Sequence, residues 1–212
     1  MDFIMEHRRH SDIDSSFADK ENLLGDLERG NPYYEEILRI SQEKELTEKE
    51  LEQAREHSFE DDLTGCYNTR YFNKLKTENF DPYRDDNKIG LVFFDLNGLK
   101  IVNDVDGHLA GDELIKSAAD FLRGNFRKED VVVRYGGDEF LVICGNDEND
   151  EKFSDMLRAK VSELMEEAPV DMAYGVAVYD ARMDFRLDDT LERADQRMYR
   201  RKSKMKKAAA EE

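Results

Sequence analysis

Acidic residues follow two stretches of the chain that predict buried strands. Asp95 lies at the end of the apolar run Ile89–Leu96. Asp138 and Glu139 follow a pair of glycines between two β-rich runs, a pattern typical of a hairpin. If the hairpin pairs with the strand, the three carboxylates converge at one end of the sheet, where hard oxygen ligands suit Mg²⁺ or Mn²⁺. Such an ion neutralises phosphate charge and aligns an oxygen nucleophile.

These acids also have a simpler explanation as residues of surface turns. The chain holds 50 acidic and 32 basic residues, a formal net charge of −18, so acids in turns are expected from composition alone. Glycines are common in hairpins for steric reasons, so the glycine pair favours a metal site only modestly. Taken from the residues alone, both explanations stay open.

The negative charge limits the classes of partner. It repels nucleic acid and anionic membrane surfaces, so we expect no polynucleotide partner. It also repels nucleotide phosphates. A nucleotide site would therefore need local compensation from a metal ion, from Lys or Arg, or from backbone N–H groups.

Two segments after the predicted strand carry groups that suit such a site. Asn97–Lys100 holds a glycine turn that leads into a helix, so its backbone N–H groups can point at a phosphate, with Lys100 as a point charge. Asn103, His108 and Asp112 follow, and Asn and Asp side chains can pair with the edge of a guanine. A simple helix N-cap is the alternative role for Asp112, and both roles can hold together.

The elements that must position these groups follow from periodicity and breakers. The core pattern predicts a helix capped by Asn68, a strand at Ile89–Leu96, a helix at Asp112–Phe126, a hairpin over 131–143, a helix at Phe153–Met165, a strand at Met172–Tyr179 and a helix at Leu187–Lys202. This order favours an α/β (α+β) domain with helices on one or both faces of a mostly antiparallel sheet.

The N-terminal quarter of the chain differs from the core. Residues 1–59 form an N-terminal segment, with a short helix expected around 17–27, followed by a core domain over 60–206 and a tail over 207–212. Strong helix formers without Gly or Pro predict a helix over 33–58. Its heptad seam includes two polar positions, so a dimerisation helix and a solvated connecting helix both remain open.

Composition also bears on location. The two cysteines, Cys66 and Cys144, lie far apart without metal-type spacing and need no disulfide. No apolar run approaches the roughly 20 residues of a membrane span, and the N-terminus does not resemble a secretory signal. We therefore expect a cytoplasmic protein, although the chain could be a fragment of a longer, even membrane-anchored, one.

Four separated motifs give a more specific indication. The run RYGGDEF at Arg134–Phe140, together with the segments Phe93–Asp112, Asp61–Phe72 and Ala194–Lys202, resembles the GGDEF family in order and spacing over residues 60 to 206. The resemblance implies a fold related to nucleotide-cyclase and polymerase palm domains, with a central, mainly antiparallel five-stranded sheet wrapped by helices. It also implies diguanylate cyclase activity.

The resemblance assigns roles at the carboxylate cluster. It implies that Asp95 and Asp138, with the backbone carbonyl of Leu96, ligate the metal ion, Mg²⁺ or Mn²⁺. Asp138 would also help to deprotonate a ribose 3′-OH. Glu139 would have a supporting catalytic role.

The resemblance also assigns substrate contacts. The implied GTP-binding residues are Asn97, Gly98, Leu99, Lys100, Asn103, His108, Asp112, Lys202 and Lys206, of which Lys100 also counts as catalytic. Lys206 stands where the family commonly has Arg, so we expect weaker substrate binding from the loss of the bidentate fork. Asp112 favours GTP over ATP, because an adenine edge offers no N1–H donor; relaxed substrate choice is disfavoured without being excluded.

The implied reaction condenses two GTP molecules into cyclic di-GMP and two pyrophosphates across a homodimer. An RxxD motif at Arg127–Asp130, five residues before the glycine pair, implies an inhibitory product site, with Arg158 as a second contact. The alternative is a catalytically silent domain that acts as a cyclic di-GMP or GTP receptor, or as an interaction module.

Overall fold

The computed structural model describes residues 32–78, 89–145 and 152–211. They fall into two compact units, of which the second begins at Phe59. The described part of the first unit is helix α1 (Pro32–His57), which confirms the helix predicted over 33–58. The short helix predicted around 17–27 lies outside the described residues. None of the described helices has the length and apolar character needed to cross a bilayer.

The second unit alternates short strands with helices. In chain order its elements are β1 (Tyr67–Asn68), α2 (Thr69–Glu78), β2 (Ile89–Leu96), α3 (Leu99–Asp106), α4 (His108–Asn125), β3 (Val131–Arg134), β4 (Glu139–Gly145), α5 (Phe153–Glu166), β5 (Met172–Val178) and α6 (Leu187–Glu211). The five strands form one sheet in the order β1-β3-β4-β2-β5. Only the β1–β3 pair is parallel, so the predicted α+β fold with a mainly antiparallel sheet is confirmed.

Strand β2 is an interior strand that pairs with β4 and β5, as its unbroken apolar sequence predicts. Val92 and Phe94 point to the face covered by α4 and α5 and join a continuous buried core with Leu122 and Val161. Phe93 points to the opposite face, where its ring meets that of Tyr135 edge to face. Because side chains alternate along a strand, Asp95 lies on the same face as Phe93, the face that α6 covers.

Two element boundaries and one strand differ from the sequence prediction. Helix α4 begins at His108, after Gly107 at φ +87, so Asp112 lies inside the helix and the N-cap alternative for Asp112 is wrong. Helix α6 runs nine residues beyond Lys202. The two-residue strand β1 was not predicted, because so short a strand carries no periodicity of its own.

The hairpin that follows β3 is anchored by a charged residue far away in sequence. Arg134 Nη1 donates to both carboxylate oxygens of Asp61 at 3.1 and 3.2 Å, and its Nη2 donates to the carbonyl of Gly137 at 2.8 Å. Asp61 also accepts hydrogen bonds from the amide and hydroxyl of Thr64. Burial alone raises the pKa of Asp61, but the hydrogen bonds from Thr64 and Arg134 outweigh it and hold that pKa below its usual value.

A buried carboxylate holds α6 against the loop before it. The Asp184 side chain is 1% exposed; it accepts hydrogen bonds from Thr190 Oγ1 and the backbone N–H of Asp180, and it forms an ion pair with Arg193. Arg193 also donates to the carbonyl of Val178 at 2.8 Å. The pair therefore joins β5, the loop and α6 at one point.

Replacing Asp61 tests the hairpin anchor. We expect Asp61→Asn to lower the free energy of unfolding by about 1–2 kcal/mol at pH 7, since the charge-assisted bond to Arg134 is lost while the acceptor for Thr64 remains. The pKa of Asp61 is lower in the folded state, so its contribution is present above the ordinary value and disappears as pH falls through the lowered one. Urea unfolding at several pH values measures this. Asp62→Asn, at the exposed neighbouring position, is the control, and an equal loss in both variants would contradict the anchor.

Breaking the buried ion pair tests the contact that holds α6. We expect Asp184→Ala to destabilise the fold by about 3–5 kcal/mol, because it leaves the Arg193 guanidinium without its buried partner. Arg182→Ala removes a surface pair with Asp180 and should change stability by about 0–1 kcal/mol. Thermal unfolding compares the two, and similar values would show that Asp184 stabilises no more than a surface acid.

Candidate active site

The structure brings the predicted carboxylates to one end of the sheet. Asp95 of β2 lies directly opposite Glu139 of β4 in the antiparallel register. The turn before β4 lies beside the end of β2, because the N–H of Leu96 donates to the carbonyl of Asp138 at 2.9 Å. The predicted convergence of the strand end and the hairpin is therefore observed, and Asp95 is only 7% exposed there.

The cluster is strongly anionic. Burial raises the pKa of Glu139, and the neighbouring charges of Asp138, Asp95 and Asp195 raise it further. Asp195 lies in the segment Ala194–Lys202 but was not among the predicted site residues. Its spacing from Lys202 was the available signal, since residues seven apart lie on the same side of a helix. The four acids thus come from β2, β4, the turn between β3 and β4, and α6.

Lys202 is the cation that faces these acids. Its ammonium forms an ion pair with Asp95 and counteracts the raised pKa of Glu139. The sequence prediction placed Lys202 at the substrate phosphates; the structure brings it to the carboxylate predicted to bind metal. A flexible lysine can serve both, since an ammonium is a point charge without a fixed direction.

The donor chemistry of the cluster suits a hard divalent cation. Asp95 and Asp138 offer carboxylate oxygens and Leu96 a backbone carbonyl, the ligand types that Mg²⁺ and Mn²⁺ prefer. Among the described residues, no three His, Cys, Asp or Glu side chains are already grouped as a cation cage. The mutual repulsion that raises the pKa of Glu139 would be relieved by a bound cation, so the residues present fit the metal.

The turn after β2, which was predicted to cradle a phosphate, is shaped by a glycine. Gly98 adopts φ +78 at the start of α3, a left-handed conformation that favours glycine. Leu99 packs against the core, whereas Lys100 is exposed. Asn97 is held by Asp171, to which its backbone N–H and its side-chain amide donate at 2.9 and 3.0 Å. Asp171 was missed by sequence analysis, because a single acid before a strand gives no signal.

The residues predicted to read guanine lie where α3 packs on α4. A Cβ at Gly111 would overlap the side-chain oxygen of Asn103, so the glycine lets Asn103 sit against α4. Asp112 follows at once and is half-buried, and His108 is exposed at the first residue of the helix. The structure therefore brings Asn103 and Asp112 to neighbouring positions, while their role in binding a base stays a prediction.

The remaining predicted residues lie further out. Lys206 is exposed one turn beyond Lys202.

The predicted inhibitory site lies at the turn before β3. Asp130 accepts from the backbone N–H of Arg127 at 2.9 Å. Burial raises the pKa of Asp130, and the charges of Lys160 and Arg127 oppose that rise. Lys160 of α5 is thus a cation whose charge reaches Asp130, and the role of Arg158 as a second contact of the inhibitory site stays a prediction. Arg158 lines a separate groove.

The chain is similar in sequence to known proteins. The chain is 29% identical over 176 residues to the diguanylate cyclase DgcP of Pseudomonas aeruginosa, covering 79% of this chain and 26% of DgcP. It is 34% identical over 113 residues to the cyclic di-GMP phosphodiesterase PdeR of Escherichia coli, covering 52% of this chain and 17% of PdeR. The chain thus spans about a quarter or less of these relatives.

Solved structures share the fold. The coiled coil and GGDEF domain of DgcB from Caulobacter crescentus, in complex with c-di-GMP, superposes with a TM-score of 0.65 at 21% identity, covering 77% of this chain and 91% of that one. Residues 58–208 match the family model described as "Diguanylate cyclase, GGDEF domain". That match covers well over half of the chain, and the chain belongs to the GGDEF-domain family.

Proposed function

We propose that this protein is an active diguanylate cyclase that condenses two GTP molecules into cyclic di-GMP and two pyrophosphates. The observation that carries the proposal is the acidic cluster of Asp95, Asp138 and Glu139 facing Lys202. A domain that had lost catalysis would have no need for carboxylates that repel one another at a half-buried strand end.

Substrate binding would begin with the base and the phosphates. The carboxylate of Asp112 can accept from N1–H and N2–H₂ of guanine, while the Asn103 amide pairs with the same edge. Lys100, Lys202 and Lys206 supply the positive charge that phosphates need near so acidic a surface. Backbone N–H groups at the Gly98 turn add neutral donors.

The chemistry would take place between the strand end and the hairpin. Asp95, Asp138 and the Leu96 carbonyl would hold a divalent cation, which would neutralise phosphate charge. The ribose 3′-oxygen of one GTP attacks the α-phosphorus of the other, its proton passes to the Asp138–Glu139 pair, and the bond to the β-phosphate breaks to release pyrophosphate. Asp138 is the proposed acceptor of this proton, and Glu139 beside it supports that role.

The reaction requires two domains. Each domain offers one guanine-binding region at its carboxylate cluster, so two copies must face each other and the displacement must occur twice to close the ring. Helix α1 is the candidate for holding the pair, with a heptad seam that includes Ile40, whose side chain is 54% exposed. This assembly rests on the mechanism and on the sequence pattern.

A receptor role is the second candidate. The similarity to PdeR, a cyclic di-GMP phosphodiesterase, means that domains of this kind occur in proteins with a different catalytic activity. A silent domain would still bind GTP or cyclic di-GMP through residues such as Asp112 and Arg127.

Product formation distinguishes these functions. We expect purified protein at high concentration, incubated with GTP and Mg²⁺, to form cyclic di-GMP, and Asp138→Ala to lower the rate at least about 100-fold because a carboxylate beside the reacting oxygen is removed. Chromatography of the nucleotides measures both. Asp155→Ala, an exposed change on α5, should keep the wild-type rate. Nucleotide binding without any product would favour the receptor.

Product inhibition tests the RxxD site. We expect Arg127→Ala to leave the initial rate unchanged and to raise the cyclic di-GMP concentration needed for half inhibition about tenfold or more, because Arg127 can pair with the Hoogsteen edge of a guanine. Lys128→Ala, at the exposed neighbouring position, is the control. Equal inhibition of wild type and Arg127→Ala would place the inhibitory contact elsewhere.

A further inference from the structure

A groove at the free edge of the sheet has a different charge from the rest of the molecule. It has a volume of about 380 Å³ and lies between α5 and α6 beside β5. Arg158 comes from α5, Arg197 and Arg201 come from α6, and Tyr174 of β5 lies among them. Three arginines converge here in a chain whose formal net charge is −18.

The groove is closed to an added strand. Strand β5 pairs only with β2, and residues that alternate along an antiparallel edge strand direct their N–H and C=O groups outward. The outward carbonyls of Val176 and Val178 accept hydrogen bonds from Arg197 and Arg193. Since these guanidinium groups cap the backbone, an extended peptide cannot continue the sheet along this edge.

The arginines of the groove retain N–H groups that can donate to a ligand. Arg201 stacks on the Tyr174 ring with its guanidinium carbon 3.7 Å from the ring centroid, which leaves the N–H groups at its rim for hydrogen bonds. Among the described residues, Arg158 forms an ion pair only with Asp155, at 3.7 Å and exposed. In residues 32–78, 89–145 and 152–211, no carboxylate oxygen lies within 4.0 Å of a guanidinium nitrogen of Arg197 or Arg201.

Like charges crowd the groove without a matching anion. Burial lowers the pKa of Arg197, and the positive charges of Arg158, Arg193 and Arg200 lower it further, while the charge of Asp184 opposes them. Such an arrangement is unfavourable by itself and becomes favourable when a multivalent anion is bound.

We propose that this groove is a binding site for a small phosphate-bearing ligand, separate from the carboxylate cluster. Guanidinium forks match phosphate oxygens in pairs, and the hydroxyl of Ser162 lines the same wall as a neutral donor. The volume suits a ligand of nucleotide or pyrophosphate size rather than a polymer. Arg201 and Lys202 are adjacent in sequence but point about 100° apart on α6, so the groove and the cluster face different directions.

Calorimetric titration with sodium pyrophosphate, in the absence of divalent metal, tests the proposal. We expect Arg158→Gln and Arg201→Gln each to weaken binding about tenfold, the loss expected for removing a charged hydrogen-bonding partner. Arg200→Gln is the matched control: it changes the net charge equally, one residue away on the same helix, at a position that does not line the groove. It should leave the affinity within about twofold.

Two further readouts make the result decisive. Thermal unfolding of each variant verifies that the fold is intact, and because Arg158 and Arg201 are both exposed their replacement should leave the unfolding temperature unchanged. Pyrophosphate binding that is equal in all four proteins overturns the proposal, as does an equal loss in Arg200→Gln, which would mean a general charge effect. Tighter binding of a polyglutamate peptide than of pyrophosphate overturns the assignment of the ligand class.

Discussion

The repulsion among carboxylates at the ends of β2 and β4 is the constraint on which the site depends. Asp95 and Glu139 lie opposite each other in the register, and Asp138 and Asp195 add to the field that raises the pKa of Glu139. Acids do not gather in this way unless other interactions hold them. The rest of the domain supplies both the holding contacts and, through Lys202, a counter-charge.

The holding contacts lie outside the cluster itself. Arg134 bonds Asp61 on one side and the Gly137 carbonyl on the other, which fixes the turn from the loop before β1. The Leu96 N–H fixes the same turn from β2. The hairpin tip is thus hydrogen-bonded to two separate parts of the chain, so the positions of its acids do not depend on their own unfavourable interaction.

The sequence predicted the strands and helices that local patterns encode. The unbroken apolar run of β2 gave a central strand, and the glycine pair before Asp138 gave the hairpin. It could not predict the Asp61–Arg134 pair, because 73 residues separate the partners and either residue alone looks like an ordinary surface charge. The start of α4 was also misplaced. Gly107 permits a backbone turn at φ +87, so the helix begins four residues before Asp112.

Helix α6 carries two charged flanks that the sequence motifs did not separate. Ala194 and Met198 are buried on one stripe of the helix. Asp195 and Lys202 flank that stripe on one side and face the carboxylates, whereas Arg197 and Arg201 flank it on the other and face the groove.

The opposite charges on the two flanks follow from what each side meets. A lysine pairs with an acid at the end of the strands. On the other flank, arginine N–H groups donate to the outward carbonyls of the edge strand. Read along the sequence, the same residues form only a mixed, largely basic run. Their division between two surfaces emerges when the helical period is combined with the position of β5 at the sheet edge. One helix therefore serves two surfaces of different chemistry, and a substitution on one flank can leave the other intact.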